Sequence, residues 1–228
     1  MQSDTLRTRW IAQWVLVALR YCPRVRENPH HTVTDEGVLR ELIRENPWGT
    51  LVSHTDAGIV ASHYPVLLDE QDQLAIVTHV GRPDEEIHRF GEGELMLIVA
   101  GPHGYISPSW YSPQANPVPT WNFSVAHCYG IPQLLEPDEN LRVLERLVHH
   151  FERHVERPLE LDLEVGARLA AGTVGIRLPI RRFICKVKMS QEKDPQTRRQ
   201  VLDALDRPGY YSNPALAEQM RRALGIGS

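Results

Sequence analysis

Lysine is nearly missing from this chain of 228 residues: Lys186, Lys188 and Lys193, all in one short stretch, are the only ones. Cysteine is as scarce. Cys22, Cys128 and Cys185 are odd in number and widely spaced, which argues against a disulfide framework or a zinc site and fits reduced thiols, small apolar fillers in a cytoplasmic protein. Basic runs are missing too, and the net charge is −4. Duplex DNA binding rests on neutralised phosphates, so this balance argues against DNA as a partner without excluding it. There is no long hydrophobic run. Trp10–Leu19, flanked by Arg7, Arg9 and Arg20, falls short of the roughly 20 residues that cross a bilayer, and Arg20-Tyr-Cys-Pro23 offers no signal cleavage site. Residues 1–24 read as an N-terminal extension, helical or packed on a partner subunit, ahead of one domain over 25–228. No membrane partner is expected. Also absent are G-x-x-x-x-G-K-[ST], G-x-G-x-x-G, H-E-x-x-H, C-x-x-C and G-x-S-x-G, and with them the chemistries those motifs carry.

What is present is a mixture of periods. Thr32–Asn46 has a helical stripe of Val38, Leu39, Leu42 and Ile43, with Thr32 or Thr34 as cap and Asn46-Pro47 as stop. Short β-type runs follow at Gly49–His54, Ile59–Leu68, Leu74–His79 and Leu95–Ala100, with a helical turn at Pro83–Phe90. Pro119–Gly130 and Val174–Lys188 supply further strands, Pro179 marking a bulge or an edge. Helices are expected at Asp138–Val155, Leu159–Ala171, Thr197–Leu205 and Pro214–Leu224. About six short strands suggest a small barrel, mainly β, with flanking and C-terminal helices. Gly101–Gly130, rich in proline, glycine and aromatics, reads as a long functional loop.

Eleven histidines are many for this length, and His54, His63, His79, His103 and His127 fall at strand ends or in that loop. A neutral ring nitrogen there can ligate iron or bond a cofactor edge. Tyr105, Ser107, Trp110, Tyr111 and Trp121 combine flat faces with polar tips, the lining a planar cofactor needs. Arg82, following His79-Val-Gly, can grip a carboxylate or phosphate, or else pair with Asp84 or Glu85. Lys186 and Lys188 share one strand face and can serve an anionic cofactor group, or form a solvated edge.

At Gly101-Pro-His-Gly-Tyr-Ile-Ser-Pro-Ser-Trp-Tyr111, Val118-Pro-Thr-Trp-Asn122 and Lys188-Met-Ser-Gln191 the chain resembles the PaiB-like family, co-linearly from about Pro29 to Leu205. The resemblance implies the FMN-binding split-barrel fold, a six-stranded Greek-key barrel, with a homodimer and a cofactor pocket at the subunit interface. One departure is plain: where the family continues Ala-Asn-Pro-x-Trp after His-x-x-Arg, this chain has Pro83-Asp-Glu-Glu-Ile87. The same resemblance takes in the piperazate synthases, haem enzymes that close an N–N bond in N5-hydroxyornithine.

The first functional expectation is therefore a haem b enzyme of that type acting on a small molecule. In it His63 or His79 is the axial ligand and Arg82 the carboxylate clamp. Tyr105, Ser107 and Trp110 line the ring, and Glu85 or Glu86 recognises the substrate amine. His103, Trp121, His127 and Lys188 complete the cofactor-binding set. The alternatives are an FMN-binding negative transcriptional regulator of PaiB type and a flavin-dependent oxidoreductase.

Overall fold

The computed structural model describes residues 28–69 and 73–226, so the extension expected at 1–24 lies outside the described residues. Strand β1 (Thr32–Val33) comes first and helix α1 (Glu36–Glu45) next. Thr32 is therefore strand rather than helix cap, because it pairs with Lys186. Asp35 caps α1 instead, its carboxylate accepting the Gly37 N–H at 2.6 Å. Then follow β2 (Trp48–Thr55), β3 (Gly58–Pro65), β4 (Leu67–Asp69), β5 (Ala75–Gly81), α2 (Arg82–His88), β6 (Leu95–Ile106), β7 (Thr120–Gly130) and β8 (Gln133–Leu134). The chain closes with α3 (Pro137–Glu152), α4 (Leu163–Ala171), β9 (Thr173–Pro179), β10 (Arg182–Lys188), α5 (Pro195–Asp206) and α6 (Pro214–Leu224).

The strands form two antiparallel sheets, ordered β1-β10-β7-β6-β2-β3 and β4-β5-β9-β8. Two expected single strands each split where the chain passes from one sheet to the other. Val66 turns aside to donate to the Pro47 carbonyl, and Ile180 and Arg181 donate to Leu74 and Tyr129. Each break sits beside a proline, Pro65 or Pro179, which cannot donate to a ladder.

The main core lies between the sheets. Leu51, Leu97, Val99, Ala126, Cys128 and Cys185 come from one, Ile76, Val80, Ile176 and Leu178 from the other, and Leu39, Leu42 and Ile43 of α1 close it. A second cluster, with Ile106, Met189, Val201, Leu205, Leu216 and Met220, lies under α5 and α6. Both described cysteines are buried, and burial raises the Cys128 thiol pKa to about 12 and that of Cys185 to about 11.

The long loop expected over Gly101–Gly130 is largely strand. β6 absorbs Gly101-Pro102 through a register shift between Ala100 and His103, leaving a connection from Ser107 to Pro119. Glycine is required at 101: a Cβ there would lie 2.2 Å from Ser124 Oγ and 2.6 Å from Leu42.

Candidate functional site

Strand alternation sorts the nominated residues by face. In the six-stranded sheet, Leu51, Leu97, Val99, Ala126 and Cys185 point to the core, so their sequence neighbours point out. The register then sets His63, Thr50, Ile98, His127 and Ile184 side by side across five strands on the outer face. Farther along the same face lie Val125 beside Lys186, Phe123 beside Lys188 and His103, and Trp121 beside Tyr105. Thus His63, His103, His127, Tyr105, Trp121 and Lys188 share one surface.

An aromatic cluster occupies one end of it. The His103 and Trp121 rings stack at 6.4 Å, and Tyr105 meets Trp121 edge-on at the same distance. Tyr211, from the α5–α6 connection, packs 5.7 Å from Tyr105 and 5.8 Å from Trp110. A cleft of about 600 Å³ runs between this connection and the strands, lined by His103, Tyr105, Trp121, Tyr210 and Tyr211. Trp121 remains 53% exposed and Tyr210 95% exposed, a large apolar area for side chains of this size. Asn213 fastens the connection by donating to the His103 carbonyl at 3.0 Å. Lys188 hydrogen-bonds Thr120 beside the cluster, and burial lowers its pKa.

The imidazoles differ in their bonding. His63 Nδ1 is 2.9 Å from Thr50 Oγ1, which leaves Nε2 free of that bond. Metal-binding imidazoles are commonly held in this way, one nitrogen tied and the other offered. His127 Nδ1 is buried without a partner, and burial, aided by the Lys186 ammonium, lowers its pKa. His79 also has a buried, unpartnered Nδ1 and a pKa lowered by burial. It stands elsewhere, in the other sheet on the strand face of Val77, which packs on Val143 and Leu147 of α3.

Arg82, Glu85 and Glu86 belong to α2, which is anchored on the inner side of β2–β3. His88 joins Ser53 at 2.8 Å and Ser62 at 3.0 Å, and Tyr64 donates to Asp84 at 2.6 Å. Hydrogen bonds from Ser62 and Tyr64 hold the Asp84 pKa down, and burial with Asp84 raises that of Tyr64 to about 12. Arg82 donates to the Ala171 carbonyl at 2.8 Å and lies 3.9 Å from Glu85. Within one chain, then, these three do not share the face of His63. Ser107 caps the 3₁₀ turn Pro108–Trp110 by accepting from the Ser109 N–H.

Part of the motif set is scaffold. Asn122 is buried and accepts from Ser190 Oγ at 3.1 Å, while Ser190 takes the left-handed conformation, φ 60°, that turns the chain out of β10. Gln191 Nε2 donates to the Val187 and His30 carbonyls. Tyr210 and Tyr211 were not among the residues nominated from the sequence. The Pro208-Gly209-Tyr-Tyr turn between two helices was the available signal.

A family model described as "Putative FMN-binding domain" matches residues 26–182. The chain belongs to this family. It is 28% identical over 197 residues to the protease synthase and sporulation protein PAI 2 of Bacillus subtilis, covering 84% of this chain and 94% of that protein. Among solved structures, the flavocytochrome Anf3 from Azotobacter vinelandii superposes with a TM-score of 0.59 at 13% identity, over 77% of this chain and 78% of the other. The FAD and heme binding protein from Mycobacterium smegmatis gives 0.56 at 16%, over 74% and 78%. These likenesses establish the expected split-barrel fold. Among the described residues no helix is long and apolar enough to cross a membrane, and no group of three or more His, Cys, Asp or Glu could hold a metal ion.

The outer face suits a flat, anionic cofactor of the family's kind. It offers the exposed ring of Trp121, the half-buried ring of Tyr105 and an ammonium at Lys188. It also suits a porphyrin in one respect, the imidazole of His63 held by Thr50.

Proposed function

We propose that the protein is a homodimeric flavoprotein that holds FMN on the outer face of its six-stranded sheet and acts on a small molecule. One observation carries this reading. The cofactor-type side chains share their face with Met96, Ile98, Val125 and Ile184, half-buried apolar residues outside every buried cluster of the described chain. A second copy laid on this face would cover the apolar residues and close the aromatic cleft into a pocket. FMN, when bound, supplies hydride or single-electron transfer. The chain's own groups do the rest. Trp121, Tyr105 and His103 would hold the FMN ring, Lys188 and Lys186 would serve its phosphate, and His127, whose pKa burial lowers, would accept or pass a proton.

A second reading is favoured by the bonding of His63. With Nδ1 on Thr50, its Nε2 can serve as axial ligand to haem b, as in an enzyme closing the N–N bond of N5-hydroxyornithine. There Arg82, Glu85 and Glu86 would recognise the substrate from α2 of a second copy, since within one chain they lie on the other side of β2–β3. The regulator reading adds specific DNA affinity, which would show in gel shifts with steep salt dependence.

Absorbance of the purified protein, before and after titration with FMN and with haemin, separates these. Saturable FMN uptake with a shifted flavin spectrum supports the first reading. A haem Soret band lost in His63→Ala supports the second. Failure to bind either ends both.

A further inference from the structure

A second cavity, of about 330 Å³, lies away from the outer face, between α1, β4 and the C-terminal half of α3. Arg146 stands three and four residues before the adjacent His149 and His150, and the C-cap residue Arg153 four and three after them, so they share one side of the end of α3, and Arg44 of α1 lines the same cavity. Pro47 and Leu67 line the cavity between the two sides. No carboxylate lines it among the described residues. Asp69, at the end of β4, lies 3.6 Å from Arg146 and 3.2 Å from Arg177. Arg146 also donates to the Leu68 carbonyl at 3.0 Å.

Helix-end cations normally serve the carbonyl dipole, and one or two suffice. Here the number is excessive, and the groups work against one another. The His150 pKa is lowered by burial, then by Arg153, His154 and His149. Arg153 even donates to His154 Nε2 at 3.0 Å, spending a guanidinium N–H on another basic group. A bound anion would relieve this repulsion.

We propose that this cavity binds a phosphoryl anion, a phosphate or diphosphate group held by Arg153, His149 and His150 with Arg44 opposite. Its volume exceeds what one phosphate fills, and Pro47 and Leu67 provide room for an apolar body, so a phosphate ester suits it better than a bare ion. The site is independent of the flavin reading, since neither Arg153 nor the imidazoles of α3 lie on the outer face. Protonation of His150 would add charge facing the anion, alongside Arg44, Arg146 and Arg153, with His154 bonded to Arg153 behind them. Binding should therefore tighten as pH falls.

Isothermal titration of the full chain with inorganic pyrophosphate and with phenyl phosphate, in phosphate-free buffer at pH 6 and pH 7.5, tests this. The expected result is saturable binding, stronger at pH 6 and at least about tenfold weaker in Arg153→Glu, one charge-assisted bidentate contact being lost. His150→Gln should weaken the tightening seen at pH 6, leaving the part set by the phosphate's own ionisation near pH 6. Arg153 is exposed at the helix end, so its variant should melt with the parent protein. No saturable binding at pH 6, or binding unchanged in both variants, would overturn the proposal. So would loss of FMN affinity in Arg153→Glu, which would make the cavity part of the cofactor site.

Discussion

Ile98→Glu is the sharpest perturbation of the proposed dimer. Ile98 lies between Thr50 and His127 on the outer face, whereas its neighbours Leu97 and Val99 are fully buried on the inner one. The substitution leaves the core intact, so the protomer should keep its fold. In a two-fold dimer every substitution acts twice. Each copy would forfeit roughly 2 kcal/mol of Ile burial and bring a carboxylate under cover at a cost of at least about 1–2 kcal/mol more. Doubled, that is on the order of 6 kcal/mol, or about four decades in dissociation constant. Light scattering coupled to size exclusion should show a dimer for the parent at micromolar concentration and a monomer for Ile98→Glu. Ile98→Val should remain dimeric. Far-ultraviolet circular dichroism should coincide for all three. A monomeric parent, or a variant that stays dimeric, would refute the assignment of this face.

Three further outcomes follow from the same geometry. Tyr211→Ala removes the ring that touches Tyr105 and Trp110, and should weaken FMN binding about tenfold, or roughly 1–1.5 kcal/mol of ring contact, read by quenching of flavin fluorescence. Tyr211→Phe should bind like the parent. His88→Ala should destabilise the fold by about 2–4 kcal/mol in urea unfolding, because it leaves Ser53 and Ser62 without their shared partner and a hole beside Phe90. Burial lowers the pKa of His79, His88 and His127 below 6.5, so under pH 6.5 the unfolded chain takes up protons that the folded chain refuses. The melting temperature should then stay level between about pH 7 and 8 and fall as pH drops through 6.5, with His127→Gln removing part of that fall.

Much of the fold could be read because local signals agreed with tertiary demands. The apolar stripes predicted α1 and α3, and the β-type runs predicted β2 and β7, all within a few residues of their ends, and the start of β6. The misreadings came where packing overrode local chemistry. Gly101-Pro102 looked like loop, yet one register shift and the lack of a Cβ let β6 run through them. Thr32 looked like a cap, but β10 needed an edge partner. Side-chain type brought His63, His103, His127 and Trp121 under suspicion, whereas only the register could show that they share a face.

The same register explains why His79, Arg82 and Glu85 resemble the others in sequence and differ from them in position. His63 and His79 both occupy strands, but β3 and β5 belong to different sheets, and the intervening crossover at Val66 turns the second strand toward α3. Likewise α2 follows directly on β5, and the Ser53–His88–Ser62 bonds fix it to the inner side of β2–β3. A group that must act with His63 in one chain therefore has to come from β2, β6, β7 or β10. Thr50, Ile98, His127 and Lys186 meet that condition, and Arg82 can meet it only from a second copy across the outer face. Covering that face is thus the step on which both the flavin and the haem readings depend.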